Sequence, residues 1–440
     1  MLEKLFKLKE KGTDVKTEII AGITTFLAMA YILFVNPSIL SETGMSFNGV
    51  FFATAIASAF ASIMMGILAN YPVALSAGMG VNAFFAYTVV LGMGYSYEAA
   101  LAAVFVSGMI FILISVTGLR KLIINSIPKN MKLAIGAGIG FFIAFIGFKN
   151  AGIIVDNPAT FVSMGTFKDP VVLLGVIGLF ITVALLTRKV PAAVFWGLVA
   201  TTIIGVIMNL MGLGEGLPTL PTGVIAFEFD TSLVGAFTRG FGELFSNPTQ
   251  AAVIIFAFLF VDFFDTAGTL VAVGNDIGLV NEDGELVDVE KALLSDSVGT
   301  VVGAALGTST ITSFVESGSG VAAGGRTGLT AVTTGVLFIL SIFFSPLLSV
   351  VTSAVTAPAL IVVGILMAQQ LKEIEWNDIA VATPAFITIV IMILGYSISD
   401  GIAAGFLFYT VTMLATGRTK ELQPIIYVLD LIFLIYFFTK

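Results

Sequence analysis

The chain has 440 residues, of which 58% are hydrophobic and only 11% are charged, and its formal net charge is −8. A soluble domain carries about 25% charged residues, so the composition excludes an ordinary soluble protein and indicates a helical protein that crosses a membrane many times. Cysteine and histidine are absent, which excludes disulfides, thiolate metal sites and histidine proton carriers. A proton carrier working near neutral pH in this chain must therefore be a carboxylate.

Apolar runs long enough to cross a bilayer predict fourteen spans. A charged N-terminal lead, 1–17, comes first, seven spans follow it, and after a long extracellular loop, 212–248, come seven more. The predicted spans are 18–36, 50–69, 73–91, 98–118, 131–148, 170–187, 191–211, 249–273, 291–306, 310–326, 328–346, 354–371, 378–396 and 400–416. A further apolar stretch, 424–438, is either a surface hairpin or an additional span.

The basic residues between the spans support this count, because cytoplasmic loops carry an excess of Lys and Arg. With the N-terminus inside, the predicted cytoplasmic loops hold Arg120, Lys121, Lys129, Lys132, Arg188, Lys189, Lys291, Lys372, Arg418 and Lys420. The predicted outer loops hold only Lys149, Lys168 and Arg239. We therefore expect a multi-pass protein of the cell membrane with both termini in the cytoplasm, surrounded by lipid and without a nucleic-acid partner.

Seven spans in each half give the halves opposite orientations, an arrangement typical of secondary transporters. Residues 76–86, SAGMGVNAFFA, share a G-x-G-V core with residues 316–326, ESGSGVAAGGR, and each lies in the third span of its half. Both spans are rich in Gly, Ser and Thr, which weaken a continuous helix and supply hydroxyl partners for the backbone. We predict a short extended stretch and a half-helix in each, with ordinary small-residue helix packing as the alternative.

Three acidic residues lie inside predicted spans, where a charge costs roughly 2.5–3.5 kcal/mol. Asp262 and Asp265 are three residues apart and share one face of span 8, and Glu316 lies at the predicted break of span 10. We interpret them as a midplane site that binds hydrogen-bond donors and takes up a proton. The alternative is that they cap a helix or pair with Arg326. Asp296, in span 9, is either a partner of this site or lies in water near the cytoplasmic end.

In the first half, Asn82 occupies the position that faces this cluster. Its amide offers a donor and an acceptor together, which suits a heterocycle, although a packing hydrogen bond is the alternative. Gly80 and Gly318 have no side chain, so a planar ligand could approach their backbone N–H groups, and Ser317 belongs to the same predicted site. An aromatic ring could stack on the ligand, the candidates being Phe84, Phe260 and Phe314.

The chain resembles the nucleobase–cation symporters related to uracil and xanthine permeases, and specifically their AzgA-like purine branch of hypoxanthine/guanine permeases. The resemblance covers nearly the whole length and rests on TTFLAMAYILFVNP (24–37), SAGMGVNAFFAY (76–87), FVDFFDTAGTL (260–270) and SFVESGSGVAAGGRTGLTA (313–331). It implies a core domain of spans 1–4 and 8–11 beside a gate domain of spans 5–7 and 12–14. The corresponding ranges are 18–118 and 249–346 for the core, and 119–211 and 347–440 for the gate.

The resemblance also implies roles for the site residues. Asp262 and Glu316 hydrogen-bond the base, Asn82 helps to fix it, and Asp265 is needed for transport. Related uracil carriers have a histidine near this point, so their coupling scheme cannot transfer to a chain without histidine. The expected function is import of hypoxanthine or guanine, with adenine left open, by symport with a cation. We favour the proton over sodium as that cation, and expect no other cofactor; a homodimer is the implied assembly.

Two other functions stay as alternatives. A carrier of the same architecture for a small anion such as sulfate would use the N-termini of the half-helices, but acids at the site repel anions. An intramembrane aspartyl protease needs one acid on each of two helices in a G-x-G-D setting, which this sequence lacks. Saturable uptake for which purines compete would indicate a purine carrier, whereas peptide cleavage would indicate a protease.

Overall fold

A computed structural model of the chain describes residues 2–117, 128–227, 229–277, 286 and 288–439. Outside these ranges lie Arg120 and Lys121, two basic residues that support the predicted orientation. The predicted start of the gate domain also lies outside them. Within them the chain is mainly helical, and every predicted span is represented. Ten of the described helices are long and apolar enough to cross a membrane. The prediction of an all-helical polytopic fold is therefore confirmed.

The first half begins with the short helix Leu2–Phe6. Span 1 consists of two helices, Val15–Met29 and Ile32–Leu40, and span 3 consists of strand β1, Leu75–Ala77, followed by the helix Met79–Val90. The other helices are Phe47–Ala69 (span 2), Tyr97–Thr117 (span 4), Lys129–Asn150 (span 5), Pro170–Thr187 (span 6) and Ala193–Leu210 (span 7). A hairpin of strands β2, Ile154–Asn157, and β3, Phe161–Met164, lies between spans 5 and 6 and was not predicted.

The second half repeats this pattern. Span 10 consists of strand β4, Ile311–Ser313, and the short helix Ser317–Ala322. The other helices are Pro248–Asp276 (span 8), Val289–Leu306 (span 9), Gly328–Ser341 with a 3-10 continuation to Val350 (span 11), Ser353–Ala368 (span 12), Ile379–Leu394 (span 13) and Ile398–Ala415 (span 14). The loop before span 8 contains the 3-10 turn Ala236–Arg239 and the helix Phe241–Leu244.

The C-terminal apolar stretch forms one helix, Pro424–Thr439, so the hairpin interpretation is wrong. This helix packs on spans 8 and 14. Tyr436 donates to Asp400 Oδ1 of span 14 at 2.8 Å. The stretch is therefore part of the packed structure.

The two halves meet where the extended segments cross. Strand β1 pairs antiparallel with β4, with Ser76 opposite Thr312, and the Gly78 N–H donates to the Thr310 carbonyl at 3.1 Å. A Cβ on Gly78 would lie 2.8 Å from Thr312 Cγ2, so only glycine permits this approach without a shift. The prediction of broken third spans in two inverted halves is confirmed.

Helix packing divides the spans into two groups. Span 9 packs on spans 2 and 4, and span 11 packs on spans 1 and 2, whereas span 12 packs on spans 5, 6 and 7, and span 13 on spans 5 and 14. We call spans 1–4 and 8–11 the core group and spans 5–7 and 12–14 the gate group. Movement of one group against the other stays a prediction.

The two groups are joined by polar contacts at the predicted outer ends of the spans. Glu42, which follows span 1, accepts hydrogen bonds from Tyr87 of span 3 at 2.8 Å and from Asn150 of span 5 at 3.2 Å. The ring of Tyr87 meets that of Tyr396, at the end of span 13, with 6.0 Å between centroids. Lys149 lies over the Tyr396 ring, 5.2 Å from its centroid. We call these five residues the Glu42 cluster.

Candidate functional site

Asp262 is buried in the middle of span 8, with a side chain only 1% exposed. Its Oδ2 accepts a hydrogen bond from Thr300 of span 9 at 2.9 Å. The Thr300 hydroxyl in turn accepts the N–H of Ile311, the first residue of β4, at 3.1 Å. One hydroxyl thus connects the acid of span 8 to the extended segment of span 10.

A second threonine makes the same kind of connection one turn later. Thr266 accepts the Ser313 N–H at the end of β4 at 3.0 Å, and its hydroxyl donates to the carboxylate of Asp296. Asp296 is fully buried. It is therefore a partner of span 8 inside the protein, and its placement in water at the cytoplasmic end is wrong. From the sequence, Thr266 is expected to extend the polar face of Asp262 and Asp265, whereas Thr300 was missed as a support of the site.

Asp265 and Glu316 lie on the more open side of the same segment. Both side chains are half-buried, whereas Asp262 is enclosed. Asp265 lies beside Thr312 of β4 and is close enough to Glu316 for their charges to interact. The OH of Tyr31, at the junction between the two helices of span 1, donates to Glu316 Oε1 at 2.6 Å. The three predicted acids therefore gather around β4.

None of these acids serves as a helix cap. Asp262 and Asp265 lie well inside the helix Pro248–Asp276. Glu316 occupies the N-cap position of the helix Ser317–Ala322, but its side chain makes no capping hydrogen bond. The capping alternative is therefore wrong.

Pairing with Arg326 is also wrong. The Arg326 guanidinium donates to the carbonyls of Val321 and Gly325, both at 2.7 Å. The ion pairs in the described parts of the chain lie at loops and helix ends, and none includes an acid of the site. Among the described residues, Oδ1 of Asp262 and Oδ1 of Asp296 are buried without a hydrogen-bond partner. The site thus presents unused acceptor atoms without a compensating cation.

Asn82 lies next to this cluster without binding its acids. The helix Met79–Val90 places it where its Oδ1 accepts a hydrogen bond from Ser309, two residues before β4. Its Nδ2 is buried and has no partner in the described structure. This amide is therefore a donor directed into the interior, close to the crossing of the extended segments.

The other predicted binding residues have distinct surroundings. Ser317 accepts the Ala74 N–H at 3.0 Å, so its hydroxyl anchors the approach to β1. No atom outside its own helix and chain neighbours lies within 4 Å of where a Cβ on Gly318 would be, so this glycine faces open space. A Cβ on Gly80 would lie 2.5 Å from Ile139 Cγ2 of span 5, so this glycine permits close packing of spans 3 and 5. Direct ligand contact by these residues stays a prediction.

Two of the aromatic candidates pack against other rings. Phe84 meets Phe258 edge to face, with centroids 4.8 Å apart, and Phe260 meets Phe406 at 6.2 Å. Phe314 is buried in the connection that follows β4. Stacking of any of them on a ligand stays a prediction.

Comparison with known proteins places the chain in a family of permeases. The Xan_ur_permease profile, described as a permease family, matches residues 16–404. The chain belongs to this family. It is 50% identical over 448 residues to the guanine/hypoxanthine permease PbuG of Bacillus subtilis strain 168, covering 99% of each chain. It is 43% identical over 435 residues to the adenine permease AdeP of Escherichia coli K12, covering 99% of this chain and 95% of that one.

Solved structures share the fold of this permease at low sequence identity. The transmembrane domain of a cyanobacterial bicarbonate transporter, BicA, superposes with a TM-score of 0.65 at 16% identity, covering 88% of this chain and 96% of that one. The structure of SLC26A9 gives a TM-score of 0.64 at 11% identity, covering 92% of this chain and 67% of that one. The protein is a multi-pass membrane permease and not an enzyme, as the sequence predicted.

Proposed function

We propose that this permease imports purine nucleobases, with hypoxanthine and guanine as its substrates, by symport with protons. The observation that carries the proposal is the group of acids around β4, with unused acceptor atoms and no cationic partner among the described residues. Relatives that match over almost the whole chain are named as guanine/hypoxanthine and adenine permeases. These names and the chemistry of the site point to the same class of substrate.

The donors of a purine suit these acceptors. Hypoxanthine and guanine carry ring N–H groups, and guanine adds an exocyclic amine, so carboxylates can accept from them through charge-assisted hydrogen bonds. The carbonyl and ring nitrogens need donors in return. Asn82 Nδ2, buried without a partner in the described structure, is such a donor. The alternative substrate, a small inorganic anion, would be repelled by Asp262 and Glu316.

The number of acids supports proton symport. Asp262, Asp265, Asp296 and Glu316 lie around one strand, and carboxylates this close cannot all be ionised in a low-dielectric interior. Such a group takes up protons as a unit. In the proposed mechanism, protonation of the group lets the purine dock against the remaining carboxylate. Movement of the core group against the gate group then carries both across the membrane.

The permease also has a proposed orientation in the membrane and a proposed oligomeric state. Both termini lie in the cytoplasm of a cell whose plasma membrane holds the permease, and the Glu42 cluster faces outward. The permease works as a homodimer, in which each protomer has its own site.

The test is uptake of labelled hypoxanthine in cells that lack purine transport, at matched membrane abundance. We expect Asp262→Asn and Glu316→Gln each to lower uptake at least about tenfold, since each removes a charged acceptor worth about 1.5–3 kcal/mol. Asp156→Asn, an exposed acid of strand β2, is the matched control and should keep wild-type uptake. A protonophore should abolish accumulation if the proton is the coupling ion.

Three results would contradict parts of this proposal. Full uptake in both site variants overturns the assignment of the acids. Hypoxanthine uptake that depends on a sodium gradient and resists the protonophore overturns proton coupling. Absence of purine uptake by the wild type, together with sulfate flux, overturns the substrate class.

A further inference from the structure

Tyr31 donates a hydrogen bond to the glutamate of the site from the junction between the two helices of span 1. The residue lies between the helices Val15–Met29 and Ile32–Leu40, and its side chain is only 1% exposed. Its OH donates to Glu316 Oε1 at 2.6 Å, a length typical of an O–H···O bond to a carboxylate. The proposed mechanism assigns no role to this phenol.

Close packing of span 1 on span 10 keeps the phenol in place. A Cβ on Gly320, four residues after Glu316, would lie 2.1 Å from Thr25 Oγ1 and 2.8 Å from the Ala21 carbonyl oxygen. The helix that follows Glu316 therefore rests directly on the helix that precedes Tyr31. Since neither helix has room to shift, the phenol stays within reach of the carboxylate.

The charged side chain that approaches Glu316 most closely is an acid. Asp265 of span 8 is near enough for the two charges to interact. The other described charged side chains on spans 1, 8 and 10, together with the buried acid of span 9, are Lys16, Glu18, Asp262, Arg326 and Asp296. Lys16 is exposed, Glu18 binds the start of span 11, and the Arg326 guanidinium donates to backbone carbonyls. Among the described residues, Tyr31 therefore stabilises the Glu316 carboxylate where no cation does.

Tyr31 makes Glu316 and Asp265 unequal. A hydrogen bond to a carboxylate stabilises its ionised form, whereas a second carboxylate nearby disfavours it. Glu316 accepts from a phenol, while Asp265 lies beside the aliphatic hydroxyl of Thr312, which is the weaker donor. We propose that Tyr31 is a positioning residue that keeps Glu316 ionised as a purine acceptor and directs the transported proton to Asp265. This inference rests on the proposed function.

This division of roles lets the permease hold a proton and a purine at the same time. An ionised Glu316 accepts a purine N–H through a charge-assisted hydrogen bond, whereas a protonated carboxyl presents a donor at the same place. With the proton on Asp265, the acceptor is kept. Without the phenol, Glu316 competes for the proton, and the acceptor is lost at an acid pH that the wild type tolerates.

The first experiment measures the affinity of the purified protein for hypoxanthine as the pH is lowered from neutral. We expect the fall in affinity on the acid side to begin about one pH unit higher in Tyr31→Phe than in the wild type, the value of one hydrogen bond to a charged group. Tyr436→Phe is the matched control, because it also removes a buried tyrosine–carboxylate bond, to Asp400 of span 14. It should keep the wild-type profile.

The second experiment follows the two acids directly and without purine. Infrared spectra recorded during a pH titration show the C=O band of a protonated carboxyl. The part of that band that is missing from Glu316→Gln belongs to Glu316, and the part missing from Asp265→Asn belongs to Asp265. As the pH falls, we expect the Asp265 band to appear first in the wild type. The Glu316 band should appear about one pH unit higher in Tyr31→Phe than in the wild type.

These measurements separate the inference from the proposed function. A Glu316 band that Tyr31→Phe leaves unchanged overturns the inference, as does a wild-type Glu316 band that appears before that of Asp265. An acid-side shift of equal size when Tyr31→Phe is combined with Glu316→Gln also overturns it, because Tyr31 would then act without the glutamate. Failure of the wild type to bind hypoxanthine, with the Glu316 band shifted as expected, contradicts the proposed function instead.

Discussion

Thr300 has a position in the site that its residue type alone does not suggest. Its hydroxyl donates to Asp262 Oδ2 at 2.9 Å, accepts the Ile311 N–H at 3.1 Å, and lies 3.2 Å from the Ile311 carbonyl. All of these groups are buried, so loss of the hydroxyl leaves a carboxylate oxygen and a backbone N–H unsatisfied. The orientation of Asp262 and the position of β4 therefore depend on the same side chain.

We expect Thr300→Val to lower hypoxanthine uptake about tenfold or more, because an unsatisfied buried polar group costs about 1–3 kcal/mol and the acid loses its orientation. The measurement is initial uptake rate at matched membrane abundance. Thr182→Val is the control, since Thr182 is also buried but donates only to a carbonyl of its own helix, at Gly178. Wild-type uptake by Thr300→Val would show that Asp262 is oriented without this threonine.

The acids of the site could be predicted from sequence, but their partners could not. Asp262, Asp265 and Glu316 are conspicuous because a charge is costly in an apolar span. Tyr31 and Thr300 carry no such signal, since hydroxyls occur throughout membrane helices and bond to whatever the tertiary structure brings near. Glu316 and Tyr31 are 285 residues apart in the chain. Only the crossing of the two halves brings them together.

At the scale of elements, the breaks in the spans differ in how well the sequence marks them. Glycine and hydroxyl residues mark spans 3 and 10, and there the prediction is confirmed. In span 1 the two helices meet at residues 30–31, in the run AMAYIL, where both residues keep helical backbone angles and no glycine or proline marks the junction. The β2–β3 hairpin was also missed, because two strands of four residues in a loop give too short a pattern to recognise.

Glu18 shows how the end of one element can depend on another. It is fully buried, and its carboxylate accepts the N–H groups of Arg326 at 2.8 Å, Thr327 at 3.3 Å and Thr330 at 3.2 Å. It also accepts the Thr330 hydroxyl at 2.7 Å. These N–H groups lie at the start of span 11, Gly328–Ser341, where a helix has donors without internal partners. A side chain of span 1 thus caps span 11.

We expect Glu18→Gln to lower the thermal stability of the purified permease by several degrees. The glutamine side chain is neutral and has only one acceptor oxygen, whereas the two carboxylate oxygens of Glu18 share these donors. Hydrogen bonds to a charged group are worth about 1.5–3 kcal/mol each. Thermal unfolding in detergent, followed by size-exclusion chromatography, measures this change. Glu10→Gln, an exposed acid paired with Lys7, should unfold like the wild type. Equal stability of Glu18→Gln would mean that other groups satisfy the start of span 11.

At the scale of the whole molecule, the two sides of the site differ in how closely they are covered by other residues. Asp265 and Glu316 are half-buried on one side. On the predicted outer side, the Glu42 cluster joins the core group to the gate group through Tyr87, Asn150 and Tyr396. The Thr88 hydroxyl, next to Tyr87, accepts the Ile398 N–H of span 14 at 3.4 Å. The structure is therefore closed at the Glu42 cluster, and the proposed mechanism requires these contacts to separate.

We expect Glu42→Ala to favour the state that is open at this cluster, because the carboxylate accepts two hydrogen bonds from opposite groups of spans. Glu42 and its bond to Asn150 are exposed, so the loss of this contact, worth about 1 kcal/mol at most, shifts such an equilibrium up to about fivefold. The chain has no cysteine, so a single Thr88→Cys substitution reports on this position without background. Its labelling by a membrane-impermeant maleimide added outside intact cells should become severalfold faster with Glu42→Ala and stay unchanged with Asp156→Asn. Unchanged labelling in both variants would mean that Glu42 does not hold the outer side closed. Labelling only from the cytoplasmic side would contradict the proposed orientation.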